Sequence, residues 1–214
     1  MRSTLEPHEI RFLLVRHGET ESNVARTYTG WTNTPLSPRG REQAQAVAER
    51  LASFPVSAVY ASDLDRAAQT AAGIASAHGL PMTLDPRLRE RNYGLLEGME
   101  FRTACERFPE LFPEPDRYAT DGTLPEGESV ADVRERVASF VDEAIHHGRG
   151  RTIVVVSHAG VLRMFLGALL DLPRQAIRGV CCDNTSLSAF RHGRHGWQLE
   201  LWNDTAHLDG RRAE

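Results

Sequence analysis

Short apolar runs alternate along the chain with stretches in which apolar residues recur every three or four positions. The run IRFLLV at residues 10–15 is typical of a strand buried on both faces, and TIVVV at residues 152–156 shows that pattern most strongly. Weaker runs predict four further strands, at residues 57–60, 81–84, 186–190 and 197–202. A turn around Gly193 and Gly196 joins the last two.

Helix signals separate most of these strands. Ser37 followed by Pro38 marks a helix start, because serine caps the first turn and proline fits the first helical position. Ser129 and Asp132 have the spacing of a capping box in front of another apolar face. We predict helices from Ser37 to about Leu51, from Asp63 to about Ala77, from Ser129 to Gly148 and over residues 161–170.

Strands and helices that alternate in this way predict an α/β protein: a three-layer sandwich with a mainly parallel sheet and helices on both faces. Its 214 residues fit one domain, residues 1–214. Residues 86–127 are rich in proline, glycine and charge, and predict only short helical pieces around residues 99–108. Because long irregular insertions are usually functional, we expect this segment to form a substrate wall or lid.

Composition narrows the classes of function. A formal net charge of −4 argues against nucleic acid or an anionic membrane as partner, since both select basic surfaces. No run approaches the roughly 18 apolar residues of a membrane helix, and residues 1–10 lack the apolar stretch of a signal peptide. Cys105, Cys181 and Cys182 do not suggest a disulfide framework. We therefore expect a reducing, cytoplasmic location.

Two histidines directly follow the two most apolar strands. His17 and His158 should meet, because ligand sites of parallel sheets lie at the carboxyl ends of the strands. Arg16 lies beside His17, and Arg66 follows the strand at residues 57–60. Arginine donates paired hydrogen bonds to phosphate oxygens, so together these residues predict a pocket for a compact dianion. Taken singly, each has a structural interpretation: a packed histidine, a solvated Arg66, or an Arg16 that caps a carbonyl.

Ordered motifs along nearly the whole chain resemble the histidine phosphatase superfamily, the phosphoglycerate mutase-like clan, and within it the phosphatase branch. The motifs that carry the resemblance are Leu14-Val15-Arg16-His17-Gly18-Glu19-Thr20, Asn23, Tyr28-Thr29-Gly30-Trp31, Leu36-Ser37-x-x-Gly40, Ser62-Asp63-Leu64-x-Arg66-Ala67, Leu88-x-Glu90-x-x-Tyr93-Gly94-x-x-Glu97-Gly98, Gly127-Glu128-Ser129, Val156-Ser157-His158-Ala159-Gly160 and Asn203-Asp204-Thr205-Ala206-His207-Leu208.

The resemblance implies a role for each matching position of the reaction centre. His17 corresponds to the nucleophile that forms phosphohistidine, and Arg16, Arg66 and His158 to the rest of the phosphate pocket. Asn23 is a further expected donor to the phosphate.

Further positions concern the leaving group. Glu90 resembles the acid that protonates the leaving oxygen, with Glu19 and Glu97 as rival acids. Thr29, Gly30 and Tyr93 resemble substrate contacts beyond the phosphate. The loop around Thr29 and Gly30 could instead be a packed loop, and Tyr93 a core residue.

The chemistry explains these residue types. Phosphoryl transfer spreads charge over equatorial oxygens, so fixed positive donors matter most. Imidazole is available uncharged near neutral pH, and His17 should offer one bare nitrogen while a backbone carbonyl holds the proton of the other. His158 should donate instead. Helices that begin near Gly18 and Ala159 should also direct backbone amides at the anion.

Three functions remain in competition: phosphatase, mutase and binding protein. Cofactor-dependent phosphoglycerate mutases carry a lysine and paired arginines after the acid motif, whereas residues 98–127 here have neither and carry an excess of acidic residues. This favours hydrolysis of a small phosphomonoester over transfer to a second phosphate position. A non-catalytic phosphate-binding protein is disfavoured, because the nucleophile, arginines and acid are all present. The resemblance implies neither metal nor cofactor, and relatives often form homodimers.

Overall fold

The computed structural model describes residues 5–112 and 119–209. The strands are β1 Ile10–Arg16, β2 Val56–Ala61, β3 Met82–Leu84, β4 Arg151–Ser157, β5 Leu187–Gly193 and β6 Gly196–Asp204. The helices are α1 Glu21–Val24, α2 Pro38–Leu51, α3 Asp65–Ala77, α4 Phe101–Arg107, α5 Val130–His147, α6 Ala159–Leu170 and α7 Arg174–Ile177. Short 3₁₀ turns lie at Pro86–Leu88, Gly94–Leu96, Pro109–Leu111 and Ala206–Leu208.

The six strands form one sheet in the order β3-β2-β4-β1-β5-β6. Strands β3, β2, β4 and β1 are parallel, and β5 and β6 extend the sheet in antiparallel pairing. The prediction of a mainly parallel sheet is confirmed. Because β1 and β4 are central neighbours, with Arg16 opposite Ser157 in register, their carboxyl ends lie side by side.

Each face of the sheet carries its own apolar core, as expected of a three-layer sandwich. On one face α5 and α6 pack against Phe12, Leu14 and Val155. On the other, α2 and α3 pack against Leu13 and Val154. Adjacent residues of β1 and of β4 thus point into different cores, which explains why both strands are apolar without interruption.

The insertion after β3 is irregular but packed. In the part of the insertion that the structure describes, the α-helix α4 lies within the predicted residues 99–108. Tyr28, Leu96, Ala104 and Leu124 form a third apolar cluster that anchors the segment to the loop after β1. The insertion therefore has a core of its own beside the carboxyl end of the sheet.

Both predicted helix starts are confirmed. The Ser37 hydroxyl accepts the Gly40 amide, and Ser129 and Asp132 form the reciprocal capping box. The helix expected near Gly18 begins only at Glu21, as the four-residue α1, and the four-residue helix α7 was not predicted, because so short a segment carries no periodicity to detect. Within the described residues no helix is long and apolar enough to cross a membrane. That residues 1–214 form a single domain stays a prediction.

Candidate active site

The carboxyl ends of β1 and β4 bring the two predicted histidines together. The backbone amide of His17 donates to the Ser157 carbonyl at 2.9 Å, and the His17 and His158 ring centroids are 5.1 Å apart. Arg66, at the start of α3, donates from Nε to His158 Nδ1 at 3.2 Å. We call Arg16, His17, Arg66 and His158, which are predicted from the sequence to bind phosphate, the phosphate cradle.

His17 is held as an uncharged imidazole. Its Nδ1 lies 2.7 Å from the Gly18 carbonyl, so Nδ1 carries the proton and Nε2 keeps a free lone pair. The ring is 4% exposed. Burial, reinforced by the charges of Arg66 and Arg16, holds the pKa of His17 well below its usual range. This is the arrangement that the sequence led us to expect of a nucleophile.

The turn after His17 is fixed by close contact with α2. A Cβ on Gly18 would collide with the Gly40 backbone, so both positions require glycine. The Gly18 amide donates to the Thr70 hydroxyl at 3.0 Å, and α1 begins only at Glu21. The expectation that a helix starting near Gly18 directs amides at the anion is therefore wrong, since this amide is satisfied within the protein.

Arg66 is 2% exposed and is held almost entirely by backbone. Its two terminal nitrogens donate to the carbonyls of Gly30, at 2.7 Å, and Thr32, at 3.1 Å. Burial lowers the pKa of Arg66 to about 10, so the guanidinium stays charged at neutral pH. The loop at residues 30–32 therefore decides where this charge lies.

Arg16 shows a similar arrangement. One terminal nitrogen donates to the Cys182 carbonyl at 2.7 Å, and its buried Nε finds no acceptor among the described residues. A buried donor without an acceptor is costly unless a ligand supplies one. Arg16 thus caps a carbonyl, as its structural interpretation predicted. Its Nε is still available to donate to an anion.

His158 differs from the expected donor. Its Nδ1 accepts from Arg66, so the ring proton lies on Nε2, 2.9 Å from the Ser62 hydroxyl. Burial and the charge of Arg66 hold its pKa well below the usual range. In this arrangement both ring nitrogens are engaged by protein groups, and donation to an anion requires Arg66 Nε to leave Nδ1.

Glu90 lies at the edge of the cradle, close enough for its charge to act on Arg16 and Arg66. Its carboxylate accepts the amides of Arg91 at 2.9 Å and Gly160 at 3.0 Å. The sequence led us to expect the backbone amides at the start of α6 to point at the bound anion. The Gly160 amide instead donates to Glu90. A Cβ on Gly160 would collide with Glu90, so glycine is needed for this approach.

Asn23 lies on α1, beside the backbone of His17. Its Oδ1 accepts from the Thr20 amide at 3.1 Å and from Asn184 Nδ2 at 3.2 Å, which leaves the Asn23 amide nitrogen as a donor. Asn184 also donates to the His17 carbonyl at 3.0 Å. Asn184 was not predicted, because it lies 167 positions from His17 along the chain and only the fold brings the two together.

The three predicted substrate contacts, Thr29, Gly30 and Tyr93, each contact other parts of the protein. The Thr29 hydroxyl bonds the Thr27 carbonyl at 3.4 Å, and Gly30, at φ +49°, supplies the carbonyl that holds Arg66. The Tyr93 ring packs 4.8 Å from Tyr28, and burial raises its pKa. Gly30 therefore supports the cradle, whereas Tyr93 packs at the border of the third core cluster.

Glu97, a rival candidate for the acid, has a different position. Its two oxygens accept from the amides of Trp31 and Thr32 at 2.8 and 2.7 Å, from the Thr32 hydroxyl, and from the Tyr93 amide. These bonds fix the same loop whose carbonyls hold Arg66. Glu97 is thus committed to organising the loop.

Glu19, the cysteines and the possible metal ligands form no second catalytic or metal site among the described residues. Glu19 accepts from the Ser37 hydroxyl at 3.0 Å, in the turn that packs on α2. The three cysteines are free thiols. Among residues 5–112 and 119–209 there is no group of three or more histidine, cysteine or acidic side chains arranged to hold a metal ion.

Comparison with known proteins identifies the family. The model of the histidine phosphatase superfamily (branch 1) matches residues 12–205. The chain belongs to this superfamily. Over 205 residues it is 37% identical to the "Probable phosphoglycerate mutase GpmB" of Yersinia enterocolitica, covering 94% of this chain and 95% of that protein.

Solved structures give the same assignment. The Shigella flexneri α-ribazole phosphatase matches with a TM-score of 0.80 and 30% identity, over 91% of this chain and 96% of that one. A mycobacterial glucosyl-3-phosphoglycerate phosphatase matches with a TM-score of 0.80 and 29% identity, over 92% and 100%. The predicted family and fold are confirmed, and the chain is an enzyme of a superfamily that acts on phosphomonoesters.

In this histidine phosphatase, neutralising Glu97 should lower activity through Arg66. We expect Glu97→Gln to reduce kcat/KM about 10- to 100-fold, because an amide cannot accept all four donors and a shifted loop misplaces the guanidinium. Aryl and alkyl phosphates should be affected equally, since we expect Arg66 to bind the phosphate and not the leaving group. Steady-state kinetics on both substrates provides the measurement. The exposed Glu106→Gln is the control, and a loss confined to alkyl phosphates would contradict the positioning role.

The two buried histidines of this protein should also make its stability depend on pH. Folding lowers the pKa values of both rings. Below pH 6.5 the two histidines are therefore protonated in the unfolded chain but stay uncharged in the folded protein. The free energy of unfolding should therefore fall as pH drops, by up to about 1.4 kcal/mol per pH unit for each ring. Urea unfolding between pH 7.5 and 5.5 measures this slope. His17→Gln should flatten it, whereas the exposed His195→Gln should not.

Proposed function

We propose that this protein is a metal-independent phosphatase that hydrolyses a small phosphomonoester through a phosphohistidine on His17. The observation that carries the proposal is the buried His17 ring, whose proton is fixed on Nδ1 by the Gly18 carbonyl. Its Nε2 lone pair shares the cradle with two guanidiniums, as attack on a dianion requires.

The proposed reaction has two steps. His17 Nε2 forms a bond to phosphorus while the ester P–O bond breaks, and Glu90 gives its proton to the leaving oxygen. Water then attacks the phosphohistidine, Glu90 takes the water proton, and the P–N bond breaks to release inorganic phosphate and neutral His17. Arg16 and Arg66 hold the equatorial oxygens throughout. The charge of the bound phosphate favours a protonated His158, which would free its Nδ1–H for donation.

The insertion at residues 86–127 is the candidate for the part of the site that contacts the rest of the substrate. This segment supplies Glu90 and Glu97, whose charges act on Arg66, and Tyr93, whose backbone amide donates to Glu97. We propose that it forms the substrate wall. The cytoplasmic location, like a homodimeric state, stays a prediction.

Mutase-type phosphoryl transfer is the second candidate, favoured by the name of the Yersinia enterocolitica relative, a probable phosphoglycerate mutase. The argument against it from the excess of acidic residues is weakened, because Glu100, Glu106, Glu110 and Asp121 are exposed to solvent, where water screens their charges. Glu114, Asp116 and Arg117, which also entered that argument, lie outside the described residues. Hydrolysis remains the better-supported function, because the solved relatives cited above are named phosphatases.

Product analysis separates the two reactions. We expect p-nitrophenyl phosphate to be hydrolysed at the same rate with and without EDTA. With 3-phosphoglycerate and a trace of 2,3-bisphosphoglycerate, a phosphatase releases inorganic phosphate, whereas a mutase forms 2-phosphoglycerate. Rapid isomerisation without phosphate release would overturn the proposal, and loss of activity in EDTA would contradict a metal-independent mechanism.

A further inference from the structure

The indole of Trp31 forms a hydrogen bond that has no part in the reaction steps proposed above. Its Nε1–H donates to the backbone carbonyl of Glu90 at 2.8 Å. The Trp31 side chain is 37% exposed, so water is an alternative acceptor for this N–H and the bond adds little to the stability of the fold. Its main effect is positional: it ties the backbone of the proposed acid to the loop at residues 30–32.

The loop that carries Trp31 is also the loop that holds Arg66. The carbonyls on either side of Trp31, those of Gly30 and Thr32, accept from the terminal nitrogens of Arg66 at 2.7 and 3.1 Å. The Trp31 amide donates to Glu97 at 2.8 Å, which fixes the middle of the loop. Three consecutive residues therefore hold a guanidinium of the phosphate cradle through their backbone and the acid through one side chain.

Arg89, the residue before Glu90, fixes the Trp31 ring in this position. Its guanidinium carbon lies 4.7 Å from the centre of that ring, a favourable cation–π arrangement. The same guanidinium donates to both oxygens of Asp63, at 2.7 and 2.6 Å. Asp63 lies two residues before α3, which carries Arg66 in its first turn. The Trp31 ring is therefore packed between the segment of the acid and the helix of Arg66.

The other hydrogen bonds of Glu90 come from different parts of the fold. Arg136 of α5 donates to the same Glu90 carbonyl at 2.9 Å, and the carboxylate accepts the amides of Arg91 and Gly160. Of the hydrogen-bond partners of Glu90 among the described residues, Trp31 alone belongs to the loop that holds Arg66. Without the indole N–H, Glu90 should stay attached to the protein but shift relative to the cradle.

We infer that Trp31 is a positioning residue, whose indole N–H sets the distance between the acid Glu90 and the phosphate cradle. This deepens the proposed function and rests on it. A carboxyl group protonates the leaving oxygen only within hydrogen-bond reach, while the cradle holds the phosphate. Because a misplacement of about 1 Å can cost roughly 10²-fold in rate, the Trp31 bond should matter most for leaving groups that need a proton.

A series of aryl and alkyl phosphates tests the inference through the slope of log(kcat/KM) against the pKa of the leaving alcohol. Trp31→Phe keeps an aromatic ring beside Arg89 and removes only the indole and its N–H. We expect kcat/KM to fall about tenfold for alkyl phosphates but less than about twofold for p-nitrophenyl phosphate, whose leaving group needs no proton. The slope should therefore become steeper than in the wild type.

Control variants separate positioning from a structural role or a contact with the substrate. Trp197→Phe, in β6, changes a tryptophan that stacks on Phe12 and should leave the slope unchanged. Trp31→Met also lacks the donor and should steepen the slope if Trp31→Phe fails to fold. An equal loss on every ester would mean that Trp31 only supports the fold, and a loss that follows the apolar size of the leaving group would mean direct contact. Either result would overturn the inference.

A double-mutant cycle shows whether Trp31 acts through Glu90. In the Glu90→Gln background, adding Trp31→Phe should cause no further loss on alkyl phosphates, because the acid is already absent. A full further loss would reject the coupling between the two residues. Hydrolysis by the wild type with the same slope in Trp31→Phe would reject this inference and leave the phosphatase standing. If the wild type hydrolysed no ester, the proposed function and the inference would fall together.

Discussion

Replacing His17 by alanine should lower the turnover of p-nitrophenyl phosphate by about 10⁴-fold or more, since the covalent route then has no nucleophile. Arg16, Arg66 and His158 remain, so the variant should still bind inorganic phosphate. Steady-state kinetics on the purified variant measures the loss. The exposed His195→Ala, which lies in the turn between β5 and β6, is the matched control and should retain full activity.

The covalent intermediate gives a direct check on the same prediction. Wild-type enzyme mixed with a labelled substrate and quenched in alkali should carry label on the peptide that contains His17, because phosphohistidine survives alkali better than acid. Label on another side chain, or steady activity in His17→Ala, would refute the assignment.

Glu90→Gln should produce the second-largest loss, and one that depends on the substrate. An alkoxide leaves poorly without a proton, so hydrolysis of an alkyl phosphate should fall about 10²- to 10⁴-fold. p-Nitrophenolate leaves without protonation, so hydrolysis of its ester should fall far less. Glutamine keeps the shape of Glu90 and one acceptor for the Arg91 and Gly160 amides.

Two further variants identify the acid. Glu19→Gln and Glu97→Gln replace the rival carboxylates, and neither should produce the same split between alkyl and aryl esters. Glu97→Gln should lower both rates together through Arg66. A split in either variant, with none in Glu90→Gln, would move the acid role away from Glu90.

The sequence predicted the fold well where one strand or helix carries a strong local signal. The runs at residues 10–15 and 152–156 fall within β1 and β4, and the capping residues Ser37 and Ser129 mark the starts of α2 and α5. Because parallel strands end at one sheet edge, the meeting of His17 and His158 could be predicted as well.

The features that could not be predicted from the sequence depend on contacts between distant segments of the chain. Arg91 lies 72 positions before Arg163, and Arg174 lies 11 positions after it. Only the fold brings the three arginines to one cavity. The same limit applies to His158, because its ring orientation is decided by Arg66 and Ser62 from α3 and the loop before it.

The carbonyl-held guanidiniums of the cradle have a consequence for turnover. Arg16 and Arg66 meet neutral oxygens of Cys182, Gly30 and Thr32, and no carboxylate among the described residues pairs directly with either guanidinium. The nearby charge of Glu90 offsets their mutual repulsion only in part. Whatever oxyanion relieves that repulsion will be slow to leave, whether it arrives as an ester or remains after hydrolysis. Free orthophosphate in the surrounding solution should therefore compete for the site and restrain the enzyme when the cell already holds plenty of its own product.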